Sequence, residues 1–167
     1  PYPAVVVCHP HPLFGGDMNS SVVVAICAGL AERGIASLRF NFRQTGDGET
    51  LNLSASRDVE IGLQLLDGWE LANSARLGVA GYSFGAAAIA RASDHLESAK
   101  ALALVAPPVA AVRKSSLGAD TRPQYFVVGG RDRLVDPEAL SEVVSGMETP
   151  ATFETLDGAD HMLGGYE

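Results

Sequence analysis

The chain has 167 residues, of which 47% are hydrophobic and 19% charged, enough for one domain that buries its core without metal or disulfide support. Its formal charge of −8 and the absence of any Lys/Arg cluster argue against a nucleic-acid partner, which needs a basic patch over phosphate. No apolar run approaches the roughly eighteen residues of a membrane span, so no membrane partner is expected.

The chain opens Pro1-Tyr2-Pro3, without a Met or a signal-peptide pattern, and reads directly into a strand. The expectation is a cytoplasmic protein whose natural N-terminus is longer than this sequence. Residues 4–8 (AVVVC) form a fully apolar run, as a strand covered on both faces requires. Ser20 and Ser21 cap a helix that continues through Val24, Leu30 and Ala31 to Arg33, and Gly34 stops it. Residues 36–42 (ASLRFNF) alternate and read as the next strand, followed by a polar loop over residues 44–49. Ser54 or Ser56 then starts a helix with Val59, Leu63, Leu66 and Leu71 on one face. Residues 76–80 (RLGVA) are a short strand, and the Ala-rich residues 86–92 are helical. Residues 100–106 and 124–128 are further strands, joined by a long loop with one helical turn and too short for a lid domain. Residues 137–147 make a helix with Pro137 in its first turn, and residues 151–156 (ATFETL) alternate as an edge strand does.

Strands alternating with helices predict βαβ units. The expected fold class is α/β: a single domain over residues 1–167, a three-layer α/β/α sandwich on about six mostly parallel strands. If the winding reverses once, strands 4–8 and 76–80 become neighbours, and a ligand crevice opens at their carboxyl ends. Cys8 and Cys27 fall in an apolar run and a helical pattern with no CxxC spacing, so both are expected to be buried thiols.

The chemistry concentrates at that edge. Gly81-Tyr82-Ser83-Phe84-Gly85 lies between a strand and a helix, where a serine on a sharp turn needs small residues two positions away on each side. Ser83 is therefore the candidate nucleophile, and it needs a base and an orienting acid. His161, in the loop after the last strand, is the candidate base; His95 belongs to the far end of the helix after Ser83. Asp132, just past Gly129-Gly130, is the candidate acid. Asp136 is its rival and could equally cap the helix beginning at Pro137. The oxyanion needs two backbone N–H donors. Phe84 supplies one; because Pro10 and Pro12 have none to give, the other comes from His9 or His11, and His11 is the one expected. His9 and His11 alternate with prolines and lack further ligands nearby, so no metal is expected, and no other cofactor is implied.

Taken together, these residues make the chain resemble the α/β-hydrolases, in particular the small, lidless, dienelactone-hydrolase-like members. The likeness rests on His9-Pro-His-Pro-Leu-Phe-Gly-Gly16, on Arg39-Phe-Asn-Phe-Arg43 followed by Gly46, on Gly81-Tyr-Ser-Phe-Gly-Ala86, on Gly130-Arg-Asp132 and on Gly158-Ala-Asp-His161. The resemblance implies Ser83 as nucleophile, Asp132 as acid, His161 as base, and His11 and Phe84 as oxyanion amides. Dienelactone hydrolases use cysteine, so serine here points to esterase-type chemistry. The antiparallel strands that usually open this fold and the helix that closes it are missing. Either the natural protein is longer, the favoured reading, or a second copy in a homodimer covers the exposed edge strand.

The expected function is hydrolysis of small-molecule carboxylic esters, short-chain or with exposed acyl groups, through an acyl-enzyme. Leu13, Phe14 and Tyr82 are expected to contact the substrate. A thioester or small amide, a lyase or acyltransferase on the same scaffold, and a non-catalytic binding protein are the alternatives.

Overall fold

Inner strands of a parallel sheet are buried on both faces and favour β-branched and small apolar residues, as the four inner runs of this chain do, while the two edge runs alternate. In the computed structural model, which describes residues 1–44 and 46–166, all six join one parallel sheet. They are β1 (Tyr2–Cys8), β2 (Ala36–Arg39), β3 (Ala72–Tyr82), β4 (Ala99–Val105), β5 (Gln124–Gly129) and β6 (Thr152–Leu156). Their spatial order is β2-β1-β3-β4-β5-β6, so the winding reverses once, between β1 and β3. The register pairs Ala4 with Leu77 and Cys8 with Gly81, which brings the carboxyl ends of those two strands level.

The helices are α1 (Ser21–Glu32), α2 (Gly48–Asp67), α3 (Phe84–Ala92), α4 (Val109–Arg113) and α5 (Pro137–Ser145). Strand side chains alternate between faces. Ala4, Val6, Val79, Leu104 and Phe126 point into the larger core, where they meet Leu51 and Leu63 of α2, Ile89 of α3 and Leu140 of α5. On the opposite face Tyr82, Val105 and Val127 pack with Val22 of α1. The result is a three-layer α/β/α sandwich, and among the described residues no separate lid domain covers it. Among the described residues no helix is long and apolar enough to cross a membrane.

Several boundaries differ from the sequence reading, each for a physical reason. The strand expected over residues 36–42 ends at Arg39, because the Phe42 amide donates to the His9 ring at 3.0 Å instead of to a neighbouring strand. The helix expected to start at Ser54 or Ser56 begins at Gly48, with Glu49 in its first turn, where a carboxylate favours the helix dipole. The polar loop over residues 44–49 is correspondingly short, and its Thr45 lies outside the described residues. Leu71 falls beyond that helix and is exposed. Cys8 is buried, whereas Cys27 of α1 is only half-buried. The loop between β4 and β5 holds α4 and a 3-10 turn at Ser116–Ala119.

Phe126 has no exposed surface and sits mid-sheet, between β4 and β6. Phe126→Ala should therefore cost about 3–5 kcal/mol of stability, read from urea unfolding. A loss below about 1 kcal/mol would mean that the core around this ring relaxes freely.

Candidate active site

β3 runs directly into Ser83, and α3 begins at the next residue. That turn forces Ser83 to φ 53°, ψ −108°, in the left-handed region that side chains avoid. The flanking glycines make the turn possible. A Cβ on Gly81 would lie 2.6 Å from the Gly85 carbonyl carbon, and one on Gly85 would lie 2.4 Å from the Cys8 carbonyl oxygen. The second contact also shows how close the end of β1 comes to the serine turn.

His161 and Asp132 reach Ser83 from the loops after β6 and β5. Ser83 Oγ is 2.9 Å from His161 Nε2, and His161 Nδ1 is 2.7 Å from Asp132 Oδ2. The carboxylate can only accept, so Nδ1 carries a proton and donates it, leaving Nε2 to accept from the Ser83 hydroxyl. Asp132 is held in turn, because its Oδ1 accepts from the Leu134 and Val135 amides at 2.8 and 2.9 Å. Its side chain is fully buried, and that of His161 is 13% exposed. The two loops are clamped at Gly129, where a Cβ would meet the Ala159 carbonyl oxygen at 2.5 Å. Asp136 stands apart from this constellation as the N-cap of α5, accepting from the Glu138 and Ala139 amides. His95 is exposed at the far end of the 3-10 turn after α3.

Tyr82 is buried, and its hydroxyl donates to the His161 carbonyl oxygen at 2.6 Å. Desolvation first, and then the charges of Asp132 and Asp160, push its pKa up to about 12, so it remains a hydrogen-bond donor at neutral pH. Its ring also lines part of the cleft, so the wall role read from the sequence is joined by one of holding the His161 loop. Cys8, just across from the serine turn, is kept as an unreactive thiol, because burial and the nearby Asp58 charge push its pKa up.

The loop after β1 is built around His9. Its Nδ1–H donates to the Pro10 carbonyl at 2.6 Å and its Nε2 accepts from the Phe42 amide, so the buried ring is neutral with both nitrogens occupied. His11 N-caps a three-residue 3-10 turn at Pro12–Phe14, accepting from the Leu13 amide. Its ring lies between Phe14 and Phe84, at centroid distances of 4.7 and 4.6 Å. Among the described residues the His11 and Phe84 amides donate to no protein group, which leaves both free to face a ligand.

Two depressions meet at Ser83, and His11, Phe14, Leu134 and His161 border both. One, of about 350 Å³, extends past Phe84 and Ala87 to Asn52, Arg91 and Pro108. The other, of about 340 Å³, is bounded by Tyr82, Met162, Gly16 and Ser21. Leu13 lines neither. Successive residues of a 3-10 turn point about 120° apart, so placing Phe14 over the cleft turns Leu13 outward. The sequence reading missed Asn52, Arg91, Leu134 and Met162. Only Met162, beside His161, and Leu134, just beyond Asp132, carried a positional signal.

Comparison with known proteins places this arrangement among relatives. The pattern of a family described as the alpha/beta hydrolase domain matches residues 4–165. An alpha-beta serine hydrolase homologue from Coxiella burnetii is 31% identical, with a TM-score of 0.85 over 98% of this chain and 78% of its own. A lidless a/b serine hydrolase from Xanthomonas campestris is 27% identical, with a TM-score of 0.83 over 96% of this chain and 73% of its own. An uncharacterized protein of Rickettsia prowazekii is 26% identical over 96% of this chain and 72% of its own length.

Burial pulls the His9 pKa down, partly opposed by its bond to the Pro10 carbonyl and the charge of Asp17. Below the unfolded value, near 6.5, the unfolded chain therefore binds a proton that the folded chain resists, and stability falls with pH. Urea unfolding from pH 7.5 down to 5 should show a steeper loss for the wild type than for His9→Gln. Equal slopes would mean that His9 takes up its proton without disturbing the fold.

Proposed function

The chain belongs to the alpha/beta hydrolase domain family, and from that membership we propose that it is a serine hydrolase of carboxylic esters. The observation that carries this reading is the hydrogen-bonded series from Ser83 through His161 to Asp132.

In the proposed mechanism Ser83 Oγ attacks the ester carbonyl carbon as His161 Nε2 takes the hydroxyl proton. Asp132 holds the imidazole in the Nδ1–H tautomer and stabilises the imidazolium that forms. The negative charge on the carbonyl oxygen falls to the His11 and Phe84 amides, aided by the N-terminus of α3. Collapse of the tetrahedral intermediate breaks the carbonyl–alkoxide bond, and His161 returns the proton to the departing alcohol. Water, activated by His161, then releases the acid from Ser83. The serine nucleophile, the open cleft bordered by exposed Phe14, Leu134 and Met162, and the likeness to the alpha-beta serine hydrolase homologue from Coxiella burnetii all support the assignment. An unroofed cleft suits short acyl chains, or acyl groups projecting from a larger molecule.

The test is hydrolysis of p-nitrophenyl acetate and butyrate, with labelling by a serine-directed phosphonate read by mass spectrometry. Ser83→Ala should abolish labelling and lower kcat by roughly 10⁴-fold or more, and Asp132→Asn should lower it by about 10³–10⁴-fold. Undiminished turnover in Ser83→Ala would overturn the mechanism.

A further inference from the structure

Beyond Ser83 the cleft runs along α3 towards Arg91, two helical turns further on, or roughly 12 Å along the axis at 1.5 Å per residue. Helical side chains lean towards the N-terminus of their helix, so the Arg91 side chain leans back towards Ser83. Its guanidinium makes no hydrogen bond or ion pair among the described residues. Asp132 is committed to His161 and two amides, and Asp136 to its helix cap. Although much of its surface is open to solvent, the protein around it desolvates the charge enough to lower its pKa. A cation in that position gains most from an anion entering the same pocket. Asn52, from the start of α2, lines the pocket beside it, and its side-chain amide has no partner among the described residues.

The wider charge pattern agrees. Across His161, Arg131 and Arg133 line a groove of about 600 Å³, shared with Asp160. Cationic side chains thus flank the cleft on both sides in a chain whose net charge is −8.

We infer that Arg91 and Asn52 form an anion-recognition subsite for the acyl arm, making half-esters of short dicarboxylic acids the preferred substrates. The inference rests on the ester-hydrolase reading above. Both depressions border Ser83, but only the one along α3 is also lined by Phe84, the proposed oxyanion donor, and we assign the acyl arm to it. Ser83 and Arg91 line the same pocket, so an acyl arm seated there can present a free carboxylate to the guanidinium. Neutral esters of the same length react at the same serine without that contact.

The experiment compares kcat/KM for mono-p-nitrophenyl glutarate and p-nitrophenyl butyrate in the wild type, Arg91→Gln and Arg91→Lys. The wild type should favour the glutarate ester by about tenfold or more, through KM, with the preference shrinking as salt is raised. Arg91→Gln should remove the preference and Arg91→Lys should keep part of it. A glutarate-to-butyrate ratio that is the same in wild type and Arg91→Gln would overturn the subsite while leaving ester hydrolysis standing. Should neither ester turn over, hydrolysis fails separately and binding decides the subsite. Calorimetry with monomethyl glutarate should then show binding to the wild type and loss in Arg91→Gln, and equal binding would overturn it.

Discussion

The close approach of backbone on backbone where the serine turn meets the end of β1 is the constraint on which the rest of the site depends. Nothing larger than glycine fits at position 85, where the neighbour is the Cys8 carbonyl. That contact sets the height of Ser83 relative to the loop carrying His11. A matching contact at Gly129 sets the loop of Asp132 against the loop of His161. Neither approach depends on side-chain attraction. Each is a steric permission granted by a missing Cβ, and the parallel sheet supplies the rigid frame that uses it. The hydrogen bonds among Ser83, His161 and Asp132 then form between groups already brought within reach.

A second layer of support is aromatic. Phe40, Phe42, Phe84, His11 and Phe14 follow one another from the core to the cleft rim, at centroid separations of 4.6 to 5.6 Å. His9 joins this row at Phe42 and pins the segment after β2 through its ring nitrogen. The next residue, Arg43, bonds the buried carboxylate of Asp58 on α2 through both its backbone amide and its guanidinium. The loop with the proposed oxyanion donor is therefore braced from below by rings and from the side by a charge pair. A preorganised donor needs such bracing, because a dipole that must turn during the reaction loses much of its benefit.

Much of the architecture could be read from the chain. The apolar runs and the helical periods between them identified all six strands and their alternation with helices, because a parallel sheet leaves strong, local signals. Ser83, Asp132 and His161 could be singled out because parallel strands end at one edge and the loops after three of them hold these residues. What escaped detection was long-range. Phe42 alternates like a strand residue, and only its bond to His9, thirty-three positions away, removes it from the sheet. Leu13 and Phe14 are equivalent neighbours until a 3-10 turn divides them. Asn52 and Arg91 sit in ordinary helical sequence: Asn52 reaches the Ser83 pocket through the packing of α2 on α3, and Arg91 lines its far end two turns along α3, neither with a motif to mark it.

The backbone of Ser83 itself carries a further implication. A residue with a side chain is held at positive φ there, while the next turn of helix and the strand behind it prevent relaxation. Glycine tolerates that conformation freely, so Ser83→Gly relieves a strain of about 1–3 kcal/mol, offset in part by the greater freedom glycine has when unfolded. Folding and chemistry therefore pull in opposite directions at this position. A library of variants screened only for heat resistance would drift towards a sturdier, inert protein, and only a screen for turnover would keep the hydroxyl in place.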